Sequence, residues 1–113
     1  MTKDNKALFE LAAKAAGKSG LYRNDTIRPE GFYCYPDDKY WNPRDNSEDA
    51  FDLACELGMS INVDKYETSS YAYAGEVPRV YAMELWRGDT KAATRLAIFL
   101  AAVEVGKNLG NGK

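Results

Sequence analysis

Apolar residues recur at helical spacing in two separate parts of the first half of the chain. The first part predicts a helix from about Asp4 to Ala16, which Gly17 would end. A polar connector over residues 18–30 is expected to follow it. The second part predicts a helix after Pro43, with an acidic first turn that suits the helix dipole.

Both ends of the second helix are marked in the sequence. Asp45 or Asn46 can cap its start, and an acidic residue three positions later completes a capping-box pattern. Gly58 can end it in the left-handed conformation. Its inward face is formed by four apolar residues, Ala50, Leu53, Ala54 and Leu57.

Strand-like alternation appears in four places. A short aromatic run, 31–35, lies before the second helix, and alternating runs at 60–66, 70–74 and 79–86 follow it. Short connections between the last three runs favour an antiparallel meander. With a final helix, the order predicts an α+β fold: a small antiparallel sheet of three to four strands layered with helices, an α-β-α sandwich.

The last helix should begin near Thr90 and end at about Leu109. Its segment Leu96–Val103 is apolar on every side, so it lies either inside the core or half-exposed at a subunit interface. Because so small a domain rarely surrounds a helix, we expect a homodimer or higher homo-oligomer that pairs through this segment.

The length of 113 residues corresponds to one domain, 1–113. Residues 1–30 form its N-terminal helix and connector, and 110–113 are expected to be a mobile tail. The net charge of −2 argues against general nucleic-acid binding. The polar start and the absence of a long apolar run predict a cytoplasmic protein without membrane attachment.

The chain contains no histidine, which excludes Ser-His, Cys-His and histidine-metal arrangements. It also lacks a phosphate-binding glycine loop. The carboxylates at the start of the second helix are best interpreted as capping groups. We therefore predict no catalytic residue, no metal site and no cofactor. A carboxylate-only or metal-dependent hydrolase is the weakest of the functional hypotheses.

Aromatic and arginine residues are the positive signal. Tyrosine and tryptophan rings stack on bases and arginine binds phosphate, so the combination suits a nucleotide. The predicted ligand-binding residues are Tyr40, Trp41, Asn42, Arg44, Tyr73, Trp86, Arg87 and Arg95. Each also has a structural interpretation, because tyrosine is a good strand residue and an aromatic before a proline turn can staple a helix start. A structural arginine should lie against a carboxylate, whereas a ligand-binding one needs none.

Three segments carry a resemblance to a known family. They are the turn Tyr40-Trp41-Asn42-Pro43, the helix 47–58 and the helix segment 92–98 with its end near Gly106. In this order they resemble the phage ABA sandwich family of small bacteriophage and prophage proteins, over residues 31–106. The resemblance implies an α-β-α layered fold and a small accessory phage protein in the host bacterial cytoplasm. It carries over no catalytic residue.

Two functional hypotheses remain at the sequence level. The first is a non-enzymatic anti-defence sponge, an oligomer that binds and sequesters a nucleotide signal of host anti-phage defence without cleaving it. The alternative is a protein–protein effector that inhibits a host factor or assembles with other phage proteins. A deep cleft lined by arginine would favour the nucleotide, and a flat aromatic patch would favour the protein partner.

Overall fold

The structure is a computed structural model that describes residues 5–24, 30–35, 38–64, 69–74, 80–85 and 88–111. Its elements in chain order are α1 (Asn5–Ala15), β1 (Ser19–Arg23), β2 (Gly31–Tyr35), β3 (Lys39–Trp41), α2 (Ser47–Leu57), β4 (Ser60–Asp64), β5 (Ser69–Ala74), β6 (Val80–Leu85) and α3 (Thr90–Asn111). The predicted α+β class is confirmed. The strands form two antiparallel sheets of three, however, where the sequence predicted one.

Helices α1 and α2 agree with the sequence prediction. Asn46 has an extended backbone, and its Oδ1 accepts a hydrogen bond from the Asp49 amide at 2.9 Å. Gly58 ends α2 with a positive φ of 63°. Gly17 ends α1 with a positive φ of 73°. After it, the Lys18 amide donates a hydrogen bond of 2.9 Å to the Ala13 carbonyl.

The N-terminal sheet, with strand order β1-β2-β3, contains the main error of the sequence prediction. Residues 19–23 were expected to be part of a connector, but they form β1, which pairs antiparallel with β2. Gly20 makes this pairing feasible, because a side chain at that position would collide with the carbonyl oxygen of Tyr33. The three-residue strand β3 was also missed, and it pairs with the other edge of β2.

The C-terminal sheet is the predicted meander, with strand order β4-β5-β6. One face of it packs against α3, where Ser70 and Thr94 share a hydrogen bond of 2.8 Å between their hydroxyls. Ala72 is fully buried on that face. The small residues of β5 therefore let α3 lie close to the sheet.

Helix α3 forms the centre of the core. It packs between the C-terminal sheet and α1, and the rings of Phe9 and Phe99 lie 5.0 Å apart where the two helices meet. At the other end of this contact, Gly106 approaches the backbone carbonyl of Leu11 so closely that a larger residue would collide with it. This approach fixes the spacing of the two helices.

Of the two alternatives predicted for Leu96–Val103, the structure shows burial in the core and not half-exposure. Six of its eight residues are buried in the single chain, between α1 and the sheet. Two sandwiching layers are enough to cover an all-apolar helix even in a domain of this size. The segment therefore leaves little apolar surface for a second copy, and the predicted pairing through it gains no support from the structure.

Helix α3 continues to Asn111, into the segment predicted as a tail, while 112–113 lie outside the described residues. Among the helices that are described, none is long and apolar enough to cross a membrane.

Candidate functional site

Hydrogen bonds of Asn42 stabilise the turn before α2. Its Nδ2 donates to the carbonyl of Glu30 at 2.8 Å and to Asp45 Oδ2 at 3.1 Å. Its Oδ1 accepts from the Asp45 amide at 3.0 Å, and its own amide donates to Asp49 Oδ2 at 2.8 Å. Asn42, predicted as a ligand-binding residue, thus directs its side chain into the protein's own turn.

Arg44, another predicted ligand-binding residue of this turn, lies between two carboxylates. Its Nη2 is 2.7 Å from Glu30 Oε1 and 2.8 Å from Asp45 Oδ2, and its guanidinium lies 5.2 Å from the centre of the Phe9 ring. Tyr22 donates a further hydrogen bond of 2.6 Å to Glu30. By the criterion stated from the sequence, Arg44 is a structural arginine.

The pKa values of this cluster follow from these contacts. The hydrogen bonds from Arg44 hold the pKa of Asp45 below its usual range. Burial alone would raise the pKa of Glu30, but the hydrogen bonds from Tyr22 and Arg44 outweigh it and the pKa is lowered. In turn, the bond to Asp45 raises the pKa of the Arg44 guanidinium, with Glu30 adding to the effect. All three groups are charged at neutral pH.

Trp41 and Tyr40 lie on opposite faces of β3. Trp41 is only 5% exposed and packs edge-on against Phe32, with 6.3 Å between ring centres. Lys18 Nζ lies 5.5 Å from the centre of its ring. This burial agrees with the structural interpretation of Trp41, and the remaining edge of the ring lines a pocket.

That pocket has a volume of about 340 Å³ and lies between the N-terminal sheet and α2. Its lining combines the aromatic pair Tyr40 and Trp41 with two lysines and three carboxylates. The charged residues are Lys18, Lys39, Asp49, Asp52 and Glu56. Among the described lining residues, carboxylates outnumber cations and there is no arginine, which differs from a cleft built for phosphate.

A cluster of tyrosines covers the open face of the N-terminal sheet. Tyr33 and Tyr40 are cross-strand neighbours with ring centres 5.3 Å apart, and Tyr35 packs edge-on against Tyr33 at 5.5 Å. Leu21 lies opposite Tyr33 on β1. We call these four residues, Leu21, Tyr33, Tyr35 and Tyr40, the tyrosine face. Leu21 is 52% and Tyr35 is 45% exposed.

Arg95 lies on α3, away from the tyrosine face. It donates to the Arg44 carbonyl at 3.2 Å and to Ser47 Oγ at 3.1 Å, and so ties α3 to the start of α2. It also lines a groove of about 410 Å³ between α2, β4 and α3, which we call the α2–β4 groove. Its apolar lining residues are Ala50, Phe51, Ile61, Val63 and Ile98, and its polar ones are Ser47, Thr90, Lys91, Thr94 and Arg95.

The eight predicted site residues do not form one site. Tyr73 lies half-buried on the C-terminal sheet, where its ring stacks on Tyr71 at 6.3 Å. Trp86 and Arg87 lie outside the described residues. Residues 40–44 surround the turn, and among the other predicted residues only Arg95 is joined to that turn by a described hydrogen bond.

Sequence reasoning missed the exposed apolar residues. Phe51 is 67% exposed, and it was absent from the inward face predicted for α2. A large apolar residue outside the inward stripe of a helix was the available signal. Leu21 had no comparable signal, because its strand was not recognised.

Within the described ranges, no group of three or more Cys, Asp or Glu side chains is arranged to hold a metal ion. No family model, curated protein or solved structure matches the chain. The resemblance to the phage ABA sandwich family therefore stays a prediction.

Proposed function

We propose that this chain is a non-enzymatic binding protein that contacts another protein through its tyrosine face. The observation that carries the proposal is the arrangement of Tyr33, Tyr35 and Tyr40, whose rings pack on one another on an open sheet surface. Leu21 and Tyr35 on this face are exposed, so among the described elements it is not covered by the core.

The chemistry of this face suits a protein interface. Tyrosine offers a large apolar ring with few rotatable bonds and a hydroxyl that can remain hydrogen-bonded, so little entropy is lost on binding. The rings are already held by their neighbours, and Tyr33 donates a hydrogen bond of 2.9 Å to Asp38. Leu21 and Tyr35, the more exposed members, would supply the apolar centre of the contact.

The ion pairs of Arg44 with Glu30 and Asp45 also favour a protein partner over a nucleotide ligand. A nucleotide-binding arginine would have to leave Glu30 and Asp45, and Glu30 would then lose its cation in a largely buried position. The resemblance to a phage family suggests that the partner is a host bacterial factor or another phage protein.

The test is site-specific photo-crosslinking in infected host cells. A photoreactive phenylalanine analogue at position 35 should give a discrete crosslinked product, whereas the same analogue at Lys14, exposed on α1, should not. With the crosslinked protein purified, Tyr35→Ser and Leu21→Ser should each weaken binding on the order of tenfold or more. Equal crosslinking at both positions, or unchanged affinity in both variants, would contradict the proposal.

Sequestration of a nucleotide-type ligand is the second candidate. It is based on one observation: two lysines, Lys18 and Lys39, line the pocket of about 340 Å³ together with Tyr40 and Trp41, although carboxylates outnumber them there. A thermal-shift screen against cyclic mono- and dinucleotides and ADP-ribose derivatives tests it, with mass spectrometry of the recovered ligand. A rise of several degrees that Lys18→Ala abolishes would support it, and a flat response across the panel would remove it.

A further inference from the structure

The α2–β4 groove is an apolar surface that the described chain leaves open. Ile61 is 40% and Val63 is 47% exposed on β4, an edge strand of the C-terminal sheet. The floor is closed by Ala50 and Ile98, which are buried. Phe51 stands at the side of the groove and remains 67% exposed, so it does not fill the space beside it.

The two charged side chains that line the groove are both cations, Lys91 and Arg95 of α3. None of the described lining residues is a carboxylate. The start of α3, at Thr90, adds the positive end of a helix dipole. Asp89, next to this start, is used as a cap and accepts from the Ala92 amide at 2.9 Å. The groove therefore suits an apolar side chain that is accompanied by negative charge.

The outer side of α2 carries an apolar side chain with negative charges next to it. Phe51 is flanked on the same helix by Glu48 and Asp52, and both carboxylates are exposed. A single chain thus carries a projecting aromatic ring with acidic neighbours, and beside it an apolar groove with basic neighbours.

We propose that a second copy of this chain occupies the groove, with Phe51 of each copy inserted between β4 and α3 of the other. A two-fold axis beside α2 would make the contact reciprocal, so that the apolar insertion occurs twice. Glu48 and Asp52 of one copy would then face Lys91 and Arg95 of the other. This dimer leaves the tyrosine face free, and it does not depend on the function proposed above.

Sedimentation velocity of the purified chain over a wide concentration range tests the proposal. The unmodified chain should dimerise, and Phe51→Ser should raise the dimer dissociation constant on the order of 30-fold or more, because an anchor residue is lost from both halves. Phe51 is exposed, so the variant should keep its circular dichroism spectrum. Leu21→Ser, on the other sheet, is the matched control and should dimerise normally.

Charge-reversal variants distinguish this specific interface from non-specific association of apolar surfaces. Lys91→Glu and Glu48→Lys should each weaken the dimer, and the two together should restore it, because the pair is rebuilt with opposite signs. A chain that stays monomeric at all concentrations would overturn the proposal, as would a dimer that Phe51→Ser leaves unchanged or a double variant without rescue. In the monomeric case the groove would be assigned to a different partner.

Discussion

The turn that leads into α2 and the outer side of α2 differ in how their side chains are used. In the turn, Asn42, Arg44 and Asp45 form a closed network in which side chains bond to one another and to Glu30. On the outer side, Phe51 and the β4 residues leave apolar surface open to solvent. Asn42 and Arg44, which were predicted to bind a ligand, are hydrogen-bonded within the fold, whereas the largely exposed ring of Phe51 remains free to bind.

The difference teaches that composition is a poor guide to which residues are available. Arginine and asparagine are rich in hydrogen-bond donors, but these donors are already used in the turn. The following predictions test this contrast from its largest expected effect on stability to its smallest.

Asn42→Ala should cost about 3 kcal/mol of the free energy of unfolding, because three side-chain hydrogen bonds of roughly 1 kcal/mol each are lost. Urea unfolding followed by circular dichroism measures it. Asn46→Ala, which loses only the single cap bond, is the control and should cost about 1 kcal/mol. Equal effects of the two variants would show that Asn42 does not hold the turn.

Arg44→Met should cost about 2 kcal/mol, because Glu30 would keep its charge in a position that is only 17% exposed. Asp45, the other partner, is 58% exposed, so Asp45→Asn should cost less than about 1 kcal/mol. Adding Glu30→Gln to Arg44→Met should recover part of the loss in a double-mutant cycle. Additive losses would argue against a coupled pair.

The interactions of Arg44 with Glu30 and Asp45 should make the free energy of unfolding depend on pH in the acidic range. The folded-state pKa values of Glu30 and Asp45 lie below their ordinary values of 4.5 and 3.8. Their contribution is therefore complete above those ordinary values and is lost as the pH falls through the lowered ones. Unfolding midpoints measured between neutral pH and acid should fall less steeply for Arg44→Met than for the unmodified chain. Identical slopes would count against this assignment.

Phe51→Ser should leave the stability of the monomer within about 0.5 kcal/mol of the unmodified chain, because the ring is largely exposed. Thermal unfolding at a concentration too low for association is the measurement. Leu53→Ala, two positions along α2 and 1% exposed, should by contrast destabilise strongly. A large loss for Phe51→Ser would mean that the groove side of α2 is part of the core.

Much of the fold was predictable where local chemistry decides the conformation. The caps of α2 at Asn46 and Gly58 and the meander of the C-terminal sheet follow from short sequence patterns. Strand β1 could not be predicted in this way, because Ser19–Arg23 becomes a strand only through pairing with β2.

The candidate site was less predictable for a related reason. Arg44 and Glu30 are fourteen positions apart, and only the folded chain shows that the arginine is neutralised. The open groove is formed by α2, β4 and the distant α3, and no local pattern encodes how these three elements meet. The tyrosines of β2 lie in the aromatic run predicted at 31–35, but the face that they share with Tyr40 follows from the strand register.

The packing of α1 against α3 also has a consequence for how the chain reaches its native state during synthesis. Phe9 belongs to the first helix, and its contact Phe99 belongs to the last. Tyr22 and Arg44 also contact the Phe9 ring, but most of the described chain must leave the ribosome before Phe99 can complete its cover. Newly made chains would therefore leave part of the apolar face of α1 uncovered until α3 is made, which makes α1 a natural site for transient binding by chaperones.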